Sequence, residues 1–229
     1  MKAADFFSGE ERKEVEDALA KAESRTSGEI VPVICGVSGR YDRAEDIAGI
    51  LVALVALVAV WLSFQEIAES GAEWAQDVTG RGQVVLGLGS VVGVIVVGFV
   101  VGASLATVCP ILRLPFIPAQ EMREEVDRRA LEAFSRFGIG KTKGGTGIMI
   151  FVSLFEHRVV VQGDSAISAK LEPAEWSEVC ELVLDGIKRE EPGAGLRAGV
   201  EMCGELLAKH FPVEEGDVNG LANEVRFLD

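Results

Sequence analysis

This chain of 229 residues lacks the patterns that nucleic-acid binders, zinc proteins and disulfide-framed secreted domains are built on. It has no run of Lys and Arg. The 36 acidic residues outnumber the 22 basic ones and give a formal net charge of −14. Its field therefore repels nucleic acid and favours basic or cationic partners. Only four cysteines are present, Cys35, Cys109, Cys180 and Cys203, with neither close pairing nor a C-x-x-C. With His157 and His210 as the only histidines, the sequence argues against a Cys/His zinc site, and a reducing compartment is expected. Met1–Ser8 leads directly into Glu10-Glu11-Arg12-Lys13 without an apolar stretch. No cleavable signal peptide is expected, and the N-terminal segment should stay in the cytoplasm.

Two stretches lack charge altogether. Ile47–Phe64 and Val84–Leu112 carry no Asp, Glu, Lys or Arg. A helix needs roughly 17–25 apolar residues to cross the hydrocarbon of a bilayer. The two runs predict transmembrane spans at about 47–64 and 84–108, forming a hairpin over 47–112. Buried core helices are the alternative, but helices of this length in a core normally keep a polar face. Gly89-x-x-x-Gly93 and Gly98-x-x-x-Gly102 in the second run, with Ala53, Ala56 and Ala59 in the first, let helix backbones approach closely. They suit either packing within the hairpin or a homo-oligomer through the glycine-rich second span. The connecting loop, Gln65 to Gln83, holds Glu66, Glu69, Glu73 and Asp77 against Arg81 alone. Arg40 and Arg43 precede the first span, and Arg113, Arg123, Arg128 and Arg129 follow the second. By the positive-inside rule both termini face the cytoplasm, which predicts a two-span protein of the cytoplasmic (inner) membrane. Trp61 and Trp74 fall near the loop side, where an aromatic belt lies.

The flanks read as one α/β domain. Ser8-Gly9-Glu10-Glu11 has the form of a capping box, and Val15, Ala18, Leu19 and Ala22 follow at helical spacing. Glu29–Cys35 is short and β-branched, and Pro32 predicts a strand start or an edge. After the hairpin, Val126, Ala130, Ala133, Phe134 and Phe137 mark an amphipathic helix that ends in a glycine-rich turn. Gly147–Leu154 and Arg158–Gln162 predict a β-hairpin. Trp176, Val179, Cys180, Val183, Leu184 and Ile187 form one helical stripe, and Leu196, Val200, Cys203 and Leu207 another. The order helix, strand, helix, strand, strand, helix, helix predicts an α/β/α sandwich with a small mixed sheet, interrupted by the hairpin. Neither flank buries its apolar face alone, so 1–46 and 114–212 are expected to form one discontinuous domain, with 213–229 as an acidic tail.

Several of these segments, in this order, resemble a known family. Glu23-x-x-Thr26-Ser27-Gly28-Glu29-Ile30-Val31-Pro32-Val33, Phe134-x-x-Phe137-Gly138-Ile139, Thr146–Ser153, Glu156-x-Arg158-Val159-x-Val161 and Gly163-Asp164 are similar to the TPM domain, over about residues 8 to 212. That family includes thylakoid and photosystem II repair proteins, and bacterial membrane proteins some of which carry the spans inside the domain. The resemblance implies three activities: an acid-phosphatase-like one, binding of a divalent cation (calcium or magnesium), and an accessory or quality-control role in membrane complexes.

The residues themselves offer modest chemistry. Glu29 heads the first strand and Asp164 follows the last, and such strand ends can converge to hold a hard cation through oxygens. The plainer reading has Glu29 solvated and Asp164 capping a turn. Gly138–Gly145 contains Lys141 and Lys143 but is no Walker loop: Ser135 stands where the first glycine belongs, and the segment runs from helix to strand. It suits a helix C-cap, with an anion-binding role open for Lys141. His157 has no G-x-S-x-G serine to activate, since Ser153 and Ser165 both lie outside such an elbow. Two spans without charge offer no polar transport path unless the protein oligomerises. The expected function is therefore a non-catalytic accessory, assembly or maintenance factor, anchored in the lipid bilayer and bound to a membrane protein complex. The alternative is a metal-assisted phosphatase that uses Glu29 and Asp164 with an anion clamp from Arg158 or Lys141.

Overall fold

The computed structural model describes residues 3–75, 88–142, 144–213 and 220–228, with the backbone alone over 64–75. In chain order the elements are α1 (Gly9–Glu23), β1 (Glu29–Cys35), α2 (Asp42–Ala75), α3 (Leu88–Val108), α4 (Ala119–Arg136), β2 (Gly147–Ser153), β3 (Arg158–Gly163), α5 (Ser165–Ser168), α6 (Pro173–Lys188), α7 (Pro192–His210) and β4 (Arg226–Leu228). Shorter 3-10 turns lie at Ala3–Asp5, Pro110–Phe116 and Ile139–Lys141. The chain forms two compact units, one from Met1–Gly39 with Gln120–Asp229 and the other from Arg40–Ala119.

In the first unit the strands lie in the order β3-β2-β1-β4, with β1 parallel to β2 and β4, and β2 antiparallel to β3. Alternation at period two sorts their side chains onto two faces. Ile30, Ile34, Ile148, Ile150 and Val152 pack with α1, α6 and α7. Val31, Val33, Cys35, Met149 and Phe151 pack with Val126, Ala130 and Ala133 of α4. The result is an α/β/α sandwich around a small mixed sheet. Helix α7 approaches its neighbours through glycines: a Cβ on Gly195 would lie 2.7 Å from Gly186 Cα of α6, and one on Gly204 2.6 Å from Ala22 Cβ of α1. Close packing there offsets the poor helix propensity of glycine.

Three details depart from the sequence reading. Pro32 lies in an interior strand, not at an edge or a strand start. Glu29 N donates to Thr146 O on the β2 side, whereas Ile30 N donates to Glu23 Oε1 and Gly36 N to Leu228 O on the β4 side. Even-numbered residues of β1 therefore face β4, which begins only opposite Val33. The N–H that Pro32 lacks points where no partner strand has yet started. Second, the last described residues, Arg226–Leu228, leave the expected acidic tail and form β4. Third, α2 continues to Ala75 through the segment expected to be loop, whose Glu and Ala residues are good helix formers. Asp77, Arg81 and 84–87 lie outside the described residues, and of Trp74 only the backbone is described.

In the second unit α2 and α3 pack against each other in antiparallel fashion. A Cβ on Gly98 would sit 2.8 Å from Ala53 Cα, and one on Gly102 2.9 Å from Gly49 Cα. Asp42–Ser63 and Leu88–Val108 are long and apolar enough to cross a membrane, and only 17% of each apolar stretch is buried. A core helix of a soluble protein would be mostly covered.

Candidate functional site at the strand edge

The edge of the sheet where β1 begins is assembled from the end of α1 and the turn that follows. Thr26 Oγ1 donates to Phe211 O and accepts from Gly28 N at 3.1 Å, while Thr146 Oγ1 donates to Ser27 O at 3.0 Å. A Cβ on Gly28 would lie 2.8 Å from the Leu207 methyls and 3.1 Å from Thr146 O, so a larger residue would have to displace the Leu207 side chain. Beside the turn is a pocket of about 260 Å³ lined by Glu23, Ser24, Thr26, Ser27, Glu29 and Asn223, among others. Both of its carboxylates hold backbone. Glu23 Oε1 accepts from Ile30 N at 2.9 Å, and Glu29 Oε1 from Gly220 N at 2.7 Å. Glu23 thus supplies the acceptor that β4 supplies further along β1.

Glu29 and Asp164 share one row of the sheet but are not brought together. Glu29 pairs with Gly147, and Asp164 N donates to Gly147 O at 2.8 Å, so β2 lies between them. Two strand spacings amount to roughly 9–10 Å. Ile139 packs over the middle of that row, its carbonyl oxygen 2.4 Å from where a Gly147 Cβ would stand. The Asp164 carboxylate caps α5, accepting from Ser165 N at 2.6 Å. Lys141 is exposed in the 3-10 turn behind Gly138, whose φ of 68° ends α4 in the left-handed conformation that glycine tolerates. Lys143 lies outside the described residues. Arg158 pairs with Ser153, at the opposite end of β2 from Gly147. Six residues of strand put it roughly 20 Å from the row of Glu29 and Asp164, too far to clamp an anion there.

The far end of the sheet holds a polar cluster that the sequence reading passed over. Ser38 N donates to Glu156 Oε1 at 2.9 Å, Ser153 Oγ donates to Glu156 Oε2, and the Ser38 and Ser153 hydroxyls are 2.6 Å apart. All three residues are buried. Cys35 lies in the same row, paired with Ser153, and burial pushes its thiol up while hydrogen bonds from Arg129 and Ser38 act against that. The cluster fixes the chain where it leaves β1. Its signal in the sequence was the Ser153-x-x-Glu156 spacing across a tight turn, which closes at His157 with a φ of 50°.

Among the described residues no group of three or more His, Cys, Asp or Glu gathers as a metal centre. Hard cations of the calcium class take six to eight oxygens. The pocket beside Glu29 offers two carboxylates, each with one oxygen on a backbone amide, together with hydroxyls and the Asn223 carboxamide. That donor set is short of the oxygens that a cation of the calcium class takes.

Residues 116–206 match the family model described as the TPM domain. The matched segment is less than half of the chain and begins after β1, at the end of the apolar insertion. Among solved structures, the chain is similar to the NMR structure of BA42 protein from the psychrophilic bacterium Bizionia argentinensis sp. nov., with a TM-score of 0.55 and 18% identity over 97% of this chain and 95% of that one. At that identity the likeness is one of fold. Comparison with curated proteins gave no match.

Proposed function

We propose that this protein is a membrane-anchored TPM-domain accessory factor, which assists the assembly or maintenance of a membrane protein complex. One observation carries the reading. The apolar unit Arg40–Ala119 is inserted within the chain of the α/β unit, and its packed helices expose Ile50, Leu54, Val58, Val96, Val100 and Leu105. A surface of that kind is costly in water and is matched by lipid. The arginines flanking the insertion favour both termini, and with them the TPM domain, on the cytoplasmic side of the inner membrane. The net charge of −14 disfavours nucleic acid as a partner. Gly98 and Gly102 are used within the hairpin, whereas a Cβ on Gly89 or Gly93 would meet nothing within 4 Å, which leaves that part of the second span open to another copy.

The accessory role is supported by how the candidate carboxylates are used: Glu23, Glu29 and Asp164 each hold a backbone amide. Purified protein should leave phosphate esters intact. Turnover that is lost in Asp164→Ala, with folding preserved, would overturn the proposal.

The phosphatase reading has one observation in its favour, the pocket that Glu23 and Glu29 share. It requires a rise in melting temperature with calcium or magnesium that disappears in Glu29→Ala. An unchanged melting temperature removes it.

A further inference from the structure

Past the end of α3 the chain does not turn into solvent as a polar linker. Cys109 breaks the helix with φ −116° and ψ 84°, and Pro110–Phe116 continues as a 3-10 turn that packs against both α2 and α3. The contacts place this turn across the open end of the hairpin. Arg113 Nη1 donates to Glu45 Oε1 in the first turn of α2 at 2.5 Å, and Thr107 Oγ1, near the end of α3, donates to Glu45 Oε2 at 3.0 Å. The polar side of the turn is thereby spent inward. Its outward side is apolar: Val108 is 82% exposed, Ile111 74% and Leu112 49%. These residues continue without a break the exposed apolar surface of α3 at Val97, Val101 and Leu105.

Resting on the membrane-anchored reading, we propose that Val108–Pro115 is an interfacial foot, lying in the plane of the bilayer with Ile111 and Leu112 seated at the boundary between headgroups and acyl chains. Continuity with the apolar hairpin identifies the occupant as lipid. The ion pair sets the depth. Charged groups at the end of a span settle at headgroup level, and Arg113 and Glu45 mark that level for both helices at once. An amphipathic segment at this height buries its apolar face in the acyl boundary and keeps its polar partners on the other side. Because the foot is tied to both helices, it also fixes how far the hairpin sinks.

Cys109 is exposed and supplies a native reporter, since Cys35 and Cys203 are buried. Full-length protein carrying Cys180→Ser is labelled at Cys109 with an environment-sensitive bimane and reconstituted in phosphatidylcholine vesicles whose acyl chains are brominated either near the carbonyl or near the terminal methyl. A second chain, with Cys109→Ser, Cys180→Ser and V96C in the middle of α3, serves as the deep reference. The foot predicts loss of emission at Cys109 with the shallow bromines and little loss with the deep ones, and the reverse at V96C. It also predicts that I111D, a change at an exposed position, reduces the shallow quenching at Cys109. Quenching at V96C with none at Cys109 would place the turn in water and overturn the foot while leaving the anchor intact. Deep quenching at Cys109 would make the segment part of the span, which also overturns it. Absence of quenching at both sites would remove the anchor itself.

Discussion

Arg113 and Glu45 are 68 residues apart in sequence, yet they form an ion pair at 2.5 Å in which both side chains are largely covered. The pair joins the segment after the second apolar helix to the first turn of the first. Removing one partner of such a pair leaves the other charge poorly compensated. Arg113→Ala and Glu45→Ala should each lower the melting temperature in detergent, and the double variant should lose less than the sum, with a coupling of about 1–3 kcal/mol. Additive losses would mean that the pair contributes nothing.

The glycines of α3 should divide into two classes. A methyl at Gly98 would stand 2.8 Å from Ala53 Cα, so Gly98→Ala must push the helices apart and should cost about 1–3 kcal/mol. Gly93→Ala meets nothing within 4 Å and should not destabilise the monomer, since alanine is the better helix former. Near-UV circular dichroism during thermal unfolding in detergent distinguishes the two, and equal effects would contradict the packing.

Glu156 is buried and accepts from Ser38 N, Gly39 N and Ser153 Oγ. Glu156→Ala deprives those donors of their acceptor in a dry setting and should destabilise the protein by about 2–4 kcal/mol. Glu156→Gln keeps an acceptor and should cost less, at about 1–2 kcal/mol. Urea titration of both variants tests the ranking.

Acid sensitivity is expected at the start of α1. The backbone N–H and hydroxyl of Ser8 hold the Glu11 carboxyl below its usual range. A carboxylate with a depressed pKa stabilises the fold above its unfolded value, and that contribution is lost as the pH falls through the folded one. Ser8→Ala removes the hydroxyl but keeps the backbone N–H, so it should return Glu11 only part of the way toward the ordinary carboxylate value, and the lost N-cap should cost about 1 kcal/mol at neutral pH. An NMR titration of Glu11 in the two proteins reads this directly.

The helices were largely legible because their signals are local. The Ser8 capping box is present, and Val15, Leu19, Val126, Ala133, Val183, Leu196 and Leu207 are all buried as their spacing requires. What was hidden depends on distant partners. Pro32 suits an interior strand only because β4, almost two hundred residues on, begins one step late. Strand β4 is three residues long, too short for periodicity to reveal. The separation of Glu29 from Asp164 follows from β2 lying between their strands, a fact of pairing order. The role of Glu156 depends on Ser38, 118 residues earlier, which turn composition cannot supply.

The most direct test of the account is affinity purification of the full-length protein from membranes in mild detergent, with quantification of every co-purifying protein. A membrane-anchored accessory factor predicts recovery from the membrane fraction together with a membrane protein in a fixed ratio. Recovery from the soluble fraction, or from membranes with no partner in fixed ratio, would contradict it.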